Sequence, residues 1–115
     1  MRVHLDKISI AALLICACPV VSRAAEEIPV LTIKEHRFSP EELKIPAGRK
    51  MKISVQNEDA SPEEFESYEL RREKVVNGHS SVTLYVGPLK AGIYKYFGDF
   101  HPQTAQGRIL VEEVT

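Results

Sequence analysis

Apolar and polar residues alternate in short runs along most of the chain. Met51 to Asn57 reads Met-Lys-Ile-Ser-Val-Gln-Asn, the period-two signature of a strand with one buried face. Val30 to Lys34 and Ser81 to Val86 alternate in the same way. Leu43 to Ile45 is a further strand that runs through Pro46 and Ala47 into a turn at Gly48. Near the C-terminus two strand-like runs, Ile93 to Phe97 and Arg108 to Val111, flank a loop that ends in Gly107. Ser39-Pro40, Asn77-Gly78, Gly87-Pro88 and Ala91-Gly92 are turn chemistry, and Glu58 to Pro62 reads as a loop. Phe65 to Leu70 fits either a strand or a single helical turn, and Glu63 to Lys74 is the one stretch of helix-forming composition. Short strands at this spacing predict an all-β sandwich or barrel. Phe38, Phe65, Tyr85, Tyr94 and Tyr96 are expected to fill its core.

The N-terminus follows a different rule. Arg2 and Lys7 precede an almost wholly apolar run from Ile8 to Val21, and Ser22-Arg23-Ala24 supplies small residues beyond it. These are the three regions of a secretory signal, and the run is short for a membrane span of ~20 residues. The expected organisation is a signal peptide over residues 1–24 and one domain over residues 25–115. Ile15-Cys16-Ala17-Cys18 loosely resembles a lipoprotein signal, but Pro19 after the cysteine spoils the match, so soluble release to the periplasm is expected.

Cleavage changes the rest of the picture. Both cysteines, Cys16 and Cys18, would leave with the signal. The remaining chain would have no disulfide and no thiolate to offer a metal or a substrate. Its length of about 90 residues suits one domain. Losing Arg2, Lys7 and Arg23 against Asp6 takes the formal charge from −1 to about −3. That balance, with no basic run and no basic-aromatic interleaving, argues against nucleic acid as a partner.

Candidate chemistry gathers at the C-terminal loop. Asp99 and His101 stand two residues apart between two strands, where a rigid frame can aim polar side chains. A carboxylate beside an imidazole suits a metal ion, although an isolated Asp-x-His is more often a turn cap and a surface residue. His79 follows the Asn77-Gly78 turn and reads as exposed and inert. No phosphate loop, His-Glu-x-x-His or serine nucleophile motif is present, so hydrolase chemistry has no support.

Taken together, Phe38-Ser39-Pro40, Leu43 to Gly48, Asn57-Glu58-Asp59, Pro62 to Ser67, Gly87 to Tyr94 and Phe97 to Gly107 resemble a cupredoxin-like domain. The resemblance implies a Greek-key β-sandwich with a metal end built from loops. It also exposes departures. Copper-binding members place a His, a Cys, a second His and often a Met at that end. Here Glu63 stands near the first position, Gly98 at the cysteine, and Thr104 or Ala105 at the methionine; only His101 remains. The His-His-Cys set that selects blue copper is therefore not expected.

Glu-Phe-Glu-Ser at positions 64–67, Phe-Gly-Asp-Phe-His at 97–101 and Thr-Ala-Gln-Gly at 104–107 are similar to the periplasmic cupredoxin-like accessory of bacterial ferrous-iron uptake systems built around an FTR-type permease. This resemblance implies iron (Fe2+/Fe3+) as the metal, held by Glu64, Glu66, Asp99 and His101, with ferroxidase-like oxidation of Fe(II) before delivery to the membrane permease and its periplasmic partners. Alternation places Glu63 on the side of Phe65 and Glu64 and Glu66 on the other if Phe65 points inward. His36, which closes the first strand, can reach the same end. The alternatives are a Cu(II)-binding protein anchored by His36 and His101, and a metal-free module that docks a membrane partner.

Overall fold

A computed structural model describes residues 27–114. The segment read as a signal peptide lies outside these residues. The described chain forms nine strands: β1 (Val30–Lys34), β2 (Arg37–Ser39), β3 (Glu42–Pro46), β4 (Met51–Asn57), β5 (Glu63–Ser67), β6 (Arg72–Val76), β7 (Ser81–Val86), β8 (Gly92–Gly98) and β9 (Gln106–Glu112). They pair into two sheets, one in the order β2-β1-β4-β7 and the other β3-β9-β8-β5-β6. β1 lies parallel to β4 and β3 parallel to β9, while every other pairing is antiparallel. Non-consecutive neighbours in both sheets give the crossed connections of a β-sandwich.

The alternation seen in the sequence sets what each strand buries. Ile53, Val55 and Asn57 point inward from β4, with Leu31 and Ile33 from β1, Leu84 and Val86 from β7, and Ile109 and Val111 from β9. At one end of this core Phe38 meets the Tyr96 ring edge-on at 5.0 Å, and Phe65 stacks on Tyr96 at 5.0 Å. Such aromatic pairs contribute about 0.5–1.5 kcal/mol beyond the area they bury. Tyr96 lies directly across Gly107, where a Cβ would come within 2.4 Å of the ring; the strand gives up a side chain there so that the aromatic cluster can close.

Two expectations differ. Tyr85 does not fill the core: it is 45% exposed, because Leu84 and Val86 on either side take the inward positions. Its ring lies beneath the ammonium groups of Lys50 and Lys52, 5.2 and 5.9 Å from the centroid. The helix-forming stretch from Glu63 to Lys74 is a hairpin, β5 to β6. Phe65 and Ser67 each bury against the sandwich at period two, and that outweighs the local preference of Glu, Arg and Lys for helix. β6 is a sheet edge and carries Arg72, Glu73 and Lys74, charges of the kind that keep an edge from pairing with another chain.

Candidate metal centre

β5 sends alternate side chains to opposite faces of its sheet, and this divides the candidate residues. Glu63, Phe65 and Ser67 point inward; Glu64 and Glu66 point outward. Glu63 is 1% exposed and is a rare thing for a core, a buried carboxylate. Each of its oxygens has a donor. Oε1 accepts from the Glu64 and Phe100 backbone N–H groups at 2.9 and 2.8 Å, and Oε2 accepts from His101 Nδ1 at 2.6 Å. A carboxylate is an acceptor only, so Nδ1 of His101 carries the proton of this bond. Three donors, one of them a short charge-assisted bond, meet the requirement that a buried charge be paired.

The loop after β8 is wound around this carboxylate. Gly98 N–H donates to Ala105 O at 2.8 Å, His101 N–H to Gly98 O at 3.1 Å, and Ala105 N–H to His101 O at 2.9 Å. Gly98 is where the loop leaves the sheet, and a Cβ there would stand 2.6 Å from Glu63 Cδ and 2.7 Å from Ala105 Cβ. Glycine at 98 thus makes the room that the Glu63 carboxylate fills.

His36 reaches the same end from the β1–β2 hairpin. Its ring lies flat on that of His101, with centroids 3.5 Å apart and planes 7° from parallel. Both turn residues, Glu35 and His36, sit at positive φ, 52° and 58°, a turn shape for which Asn-Gly is the usual sequence. Asp59 holds it in place by accepting from Glu35 N–H at 2.7 Å and His36 N–H at 3.0 Å. Partial burial alone would raise the Asp59 pKa, but those two backbone donors hold it below the ordinary value. Asp59 is oriented in turn by the buried Asn57, whose Oδ1 accepts its backbone N–H at 2.9 Å.

On the outer face, Glu64, Glu66 and Glu73 each bring a carboxylate oxygen to within 4.8 Å of the others. Glu66 and Glu73 are direct cross-strand partners in the β5–β6 register. Asp99 joins them: its backbone N–H donates to Glu64 O at 2.8 Å and its side chain interacts with that of Glu64. Loss of water contact on the sheet face, the Glu73 carboxylate beside it, and the charges of Glu64 and Asp99 push the Glu66 pKa up to about 7. Glu64 is shifted upward as well, by reduced hydration and then by Glu73 and Asp99.

The structure therefore brings together three of the four residues suggested by the sequence, Glu64, Glu66 and Asp99, and adds Glu73. It places the Nδ1 of His101 on Glu63, which leaves β5 from the opposite face. Glu73 was missed because its nearness to Glu66 depends on the hairpin register, and the β5–β6 turn, Tyr68 to Arg71, has neither Gly nor Pro to mark it. The type 1 copper set does not fit these residues: position 98 has no thiol, and even a Cβ there would meet the Glu63 carboxylate.

Comparison with known proteins agrees with this fold. The family model described as the cupredoxin-like domain matches residues 7–111. A curated relative, an uncharacterised protein of Rickettsia prowazekii (strain Madrid E), is 46% identical over 83 residues, which are 72% of this chain. The match spans 66% of that relative's own length. Among solved structures, amicyanin from Paracoccus versutus superposes with a TM-score of 0.61 at 20% identity, over 76% of this chain and 83% of that one. Auracyanin A, a "blue" copper protein from Chloroflexus aurantiacus, gives 0.63 at 16% identity over 75% and 98%. A purple cupredoxin from Nitrosopumilus maritimus gives 0.58 at 21% over 73% and 99%. At such identities the structural neighbours speak for the fold. The chain belongs to the cupredoxin-like domain family.

Proposed function

We propose that this cupredoxin-like module is an exported, iron-handling protein that takes the ion on the outer carboxylates and passes it to a membrane permease. The observation that carries the reading is the grouping of Glu64, Glu66 and Glu73 within 4.8 Å, with Asp99 against Glu64. Carboxylates opposed across a strand pair repel one another, and a bound cation turns that repulsion into attraction. Oxygen donors suit a hard ion. They stabilise Fe(III) more than Fe(II), which lowers the reduction potential of the bound ion and makes its electron easier for dissolved oxygen to take. Iron is cargo here, and the carboxylates are its landing place. The sequence resemblance to accessories of FTR-type uptake systems supports the same choice of metal, the periplasmic location and the permease as partner.

Calorimetric titration tests the reading. The protein is titrated with Fe(II) under nitrogen and, separately, with Cu(II); air is then admitted to the iron sample while ferric absorbance is followed. Saturable Fe(II) binding, with ferric absorbance rising faster than in buffer, is the expected result. Heat from Cu(II) alone would contradict it.

A further inference from the structure

Positions 63, 98 and 101 are far apart in the sequence and meet at one point inside the loop end of the sandwich. A Cβ at Gly98 would touch Glu63 Cδ at 2.6 Å, and Glu63 Oε2 lies 2.6 Å from His101 Nδ1. Whatever occupies that point is bonded to His101 and lies in the path of any side chain at 98. In this chain it is a carboxylate, 1% exposed, that also binds the Phe100 backbone N–H. We infer that Glu63 is the residue that determines metal specificity at this end of the fold: its side chain closes the inner position, sets the loop 99–105 without an ion, and keeps a thiolate-copper centre from forming there.

The physical case rests on occupancy and saturation. Oε1 already has two donors and Oε2 a third, so the carboxylate is satisfied by the protein. A metal approaching His101 Nδ1 must break the 2.6 Å bond and expel or leave unpaired a buried charge, which is costly. The loop needs no ion to hold its shape, because Phe100 N–H and His101 Nδ1–H both reach the same side chain. Gly98 completes the exclusion, since a Cβ at 98 would already stand 2.6 Å from Glu63 Cδ and 2.8 Å from its Oε2. The inference stands whether or not the outer carboxylates bind iron.

The test exchanges the closing residue. In a background with Cys16→Ser and Cys18→Ser, three proteins are compared: the parent, Gly98→Cys, and Glu63→His with Gly98→Cys. One equivalent of Cu(II) should give the double variant an intense visible thiolate-to-copper absorption, and give the parent none and the single variant little. Equal absorption from Gly98→Cys alone, or none from a folded double variant, would overturn the inference. Should the double variant not fold, the parent decides by itself. Long-range 15N–1H NMR should show His101 protonated at Nδ1 both before and after one equivalent of Cu(I). Loss of that Nδ1–H signal on adding the metal would show that the inner position is open.

Discussion

Glu66 on β5 and Glu73 on β6 stand directly opposite each other in the sheet register, both on the solvent side, with Glu64 close enough to share one cation with them. A hairpin that puts like charges face to face sacrifices stability. Here the arrangement lies on an edge hairpin, where Glu73 faces water and a cation has open access.

This strain has a pH signature. Glu66 titrates at about 7 in the folded chain against an ordinary 4.5, so the folded state binds its proton more tightly than the unfolded state. Such a group favours folding fully below its unfolded pKa, and that contribution is lost as pH rises through the folded value. Metal-free protein should therefore lose thermal stability between pH 4.5 and about 7. Glu66→Gln should flatten this slope and raise the melting temperature at pH 7.5. Thermal melts at a series of pH values check both; an unchanged slope in the variant would contradict the assignment.

Removing the buried carboxylate should be among the most damaging single changes. Glu63→Ala leaves two backbone N–H groups and His101 Nδ1–H without their acceptor, at a cost of about 3 kcal/mol or more. Chemical denaturation measures it. His101→Ala, which removes one of the three donors, should cost less.

Gly98→Ala adds a single methyl group but forces it to 2.6 Å from Glu63 Cδ. Overpacking of this kind costs about 2 kcal/mol. If the carboxylate is what the methyl meets, Glu63→Ala and Gly98→Ala should be non-additive, and the double variant should be more stable than the sum of the two costs implies. Additive losses in a double-mutant cycle would show that the two positions do not share that space.

The β1–β2 turn makes an opposite pair of predictions. Glu35 holds a φ of 52° that glycine adopts without strain, so Glu35→Gly should stabilise by roughly 0.5–1 kcal/mol. Asp59→Ala removes the acceptor of both turn N–H groups and should destabilise by about 2 kcal/mol. The same denaturation curves report each, and NMR contacts between the His36 and His101 rings should survive the first change and weaken in the second.

Much of this was legible in the sequence. The alternation of Met51 to Asn57 and the turns at Asn77-Gly78 and Gly87-Pro88 point to an all-β sandwich or barrel, and the resemblance to a cupredoxin-like domain selects the sandwich. With Phe65 inward on a strand, the parity of Glu-Glu-Phe-Glu-Ser puts Glu63 with Phe65 and separates it from Glu64 and Glu66, and the structure supplies that condition. What could not be read was where that parity led. That Glu63 would find His101 depends on a contact across 38 residues, and local pattern says nothing about such pairings. Glu73 depended on a turn closed by Arg71 at a φ of 54°, where the sequence offers no glycine to announce it. The flat stack of His36 on His101 came from two strained residues in the β1–β2 turn, and Asp59, a loop residue by every local sign, is what holds them.

The most direct measurement is 13C NMR of the side-chain carboxyl groups during a substoichiometric titration with Fe(II) under nitrogen. The paramagnetic ion broadens the carbons nearest to it first. Early loss of the Glu64, Glu66 and Glu73 signals, then Asp99, with Glu63 and the His101 ring still sharp, is the predicted result. Broadening that begins at Glu63 and the His36–His101 pair, or that spreads evenly over all carboxylates of the surface, would contradict an iron site on the outer face of the β5–β6 hairpin.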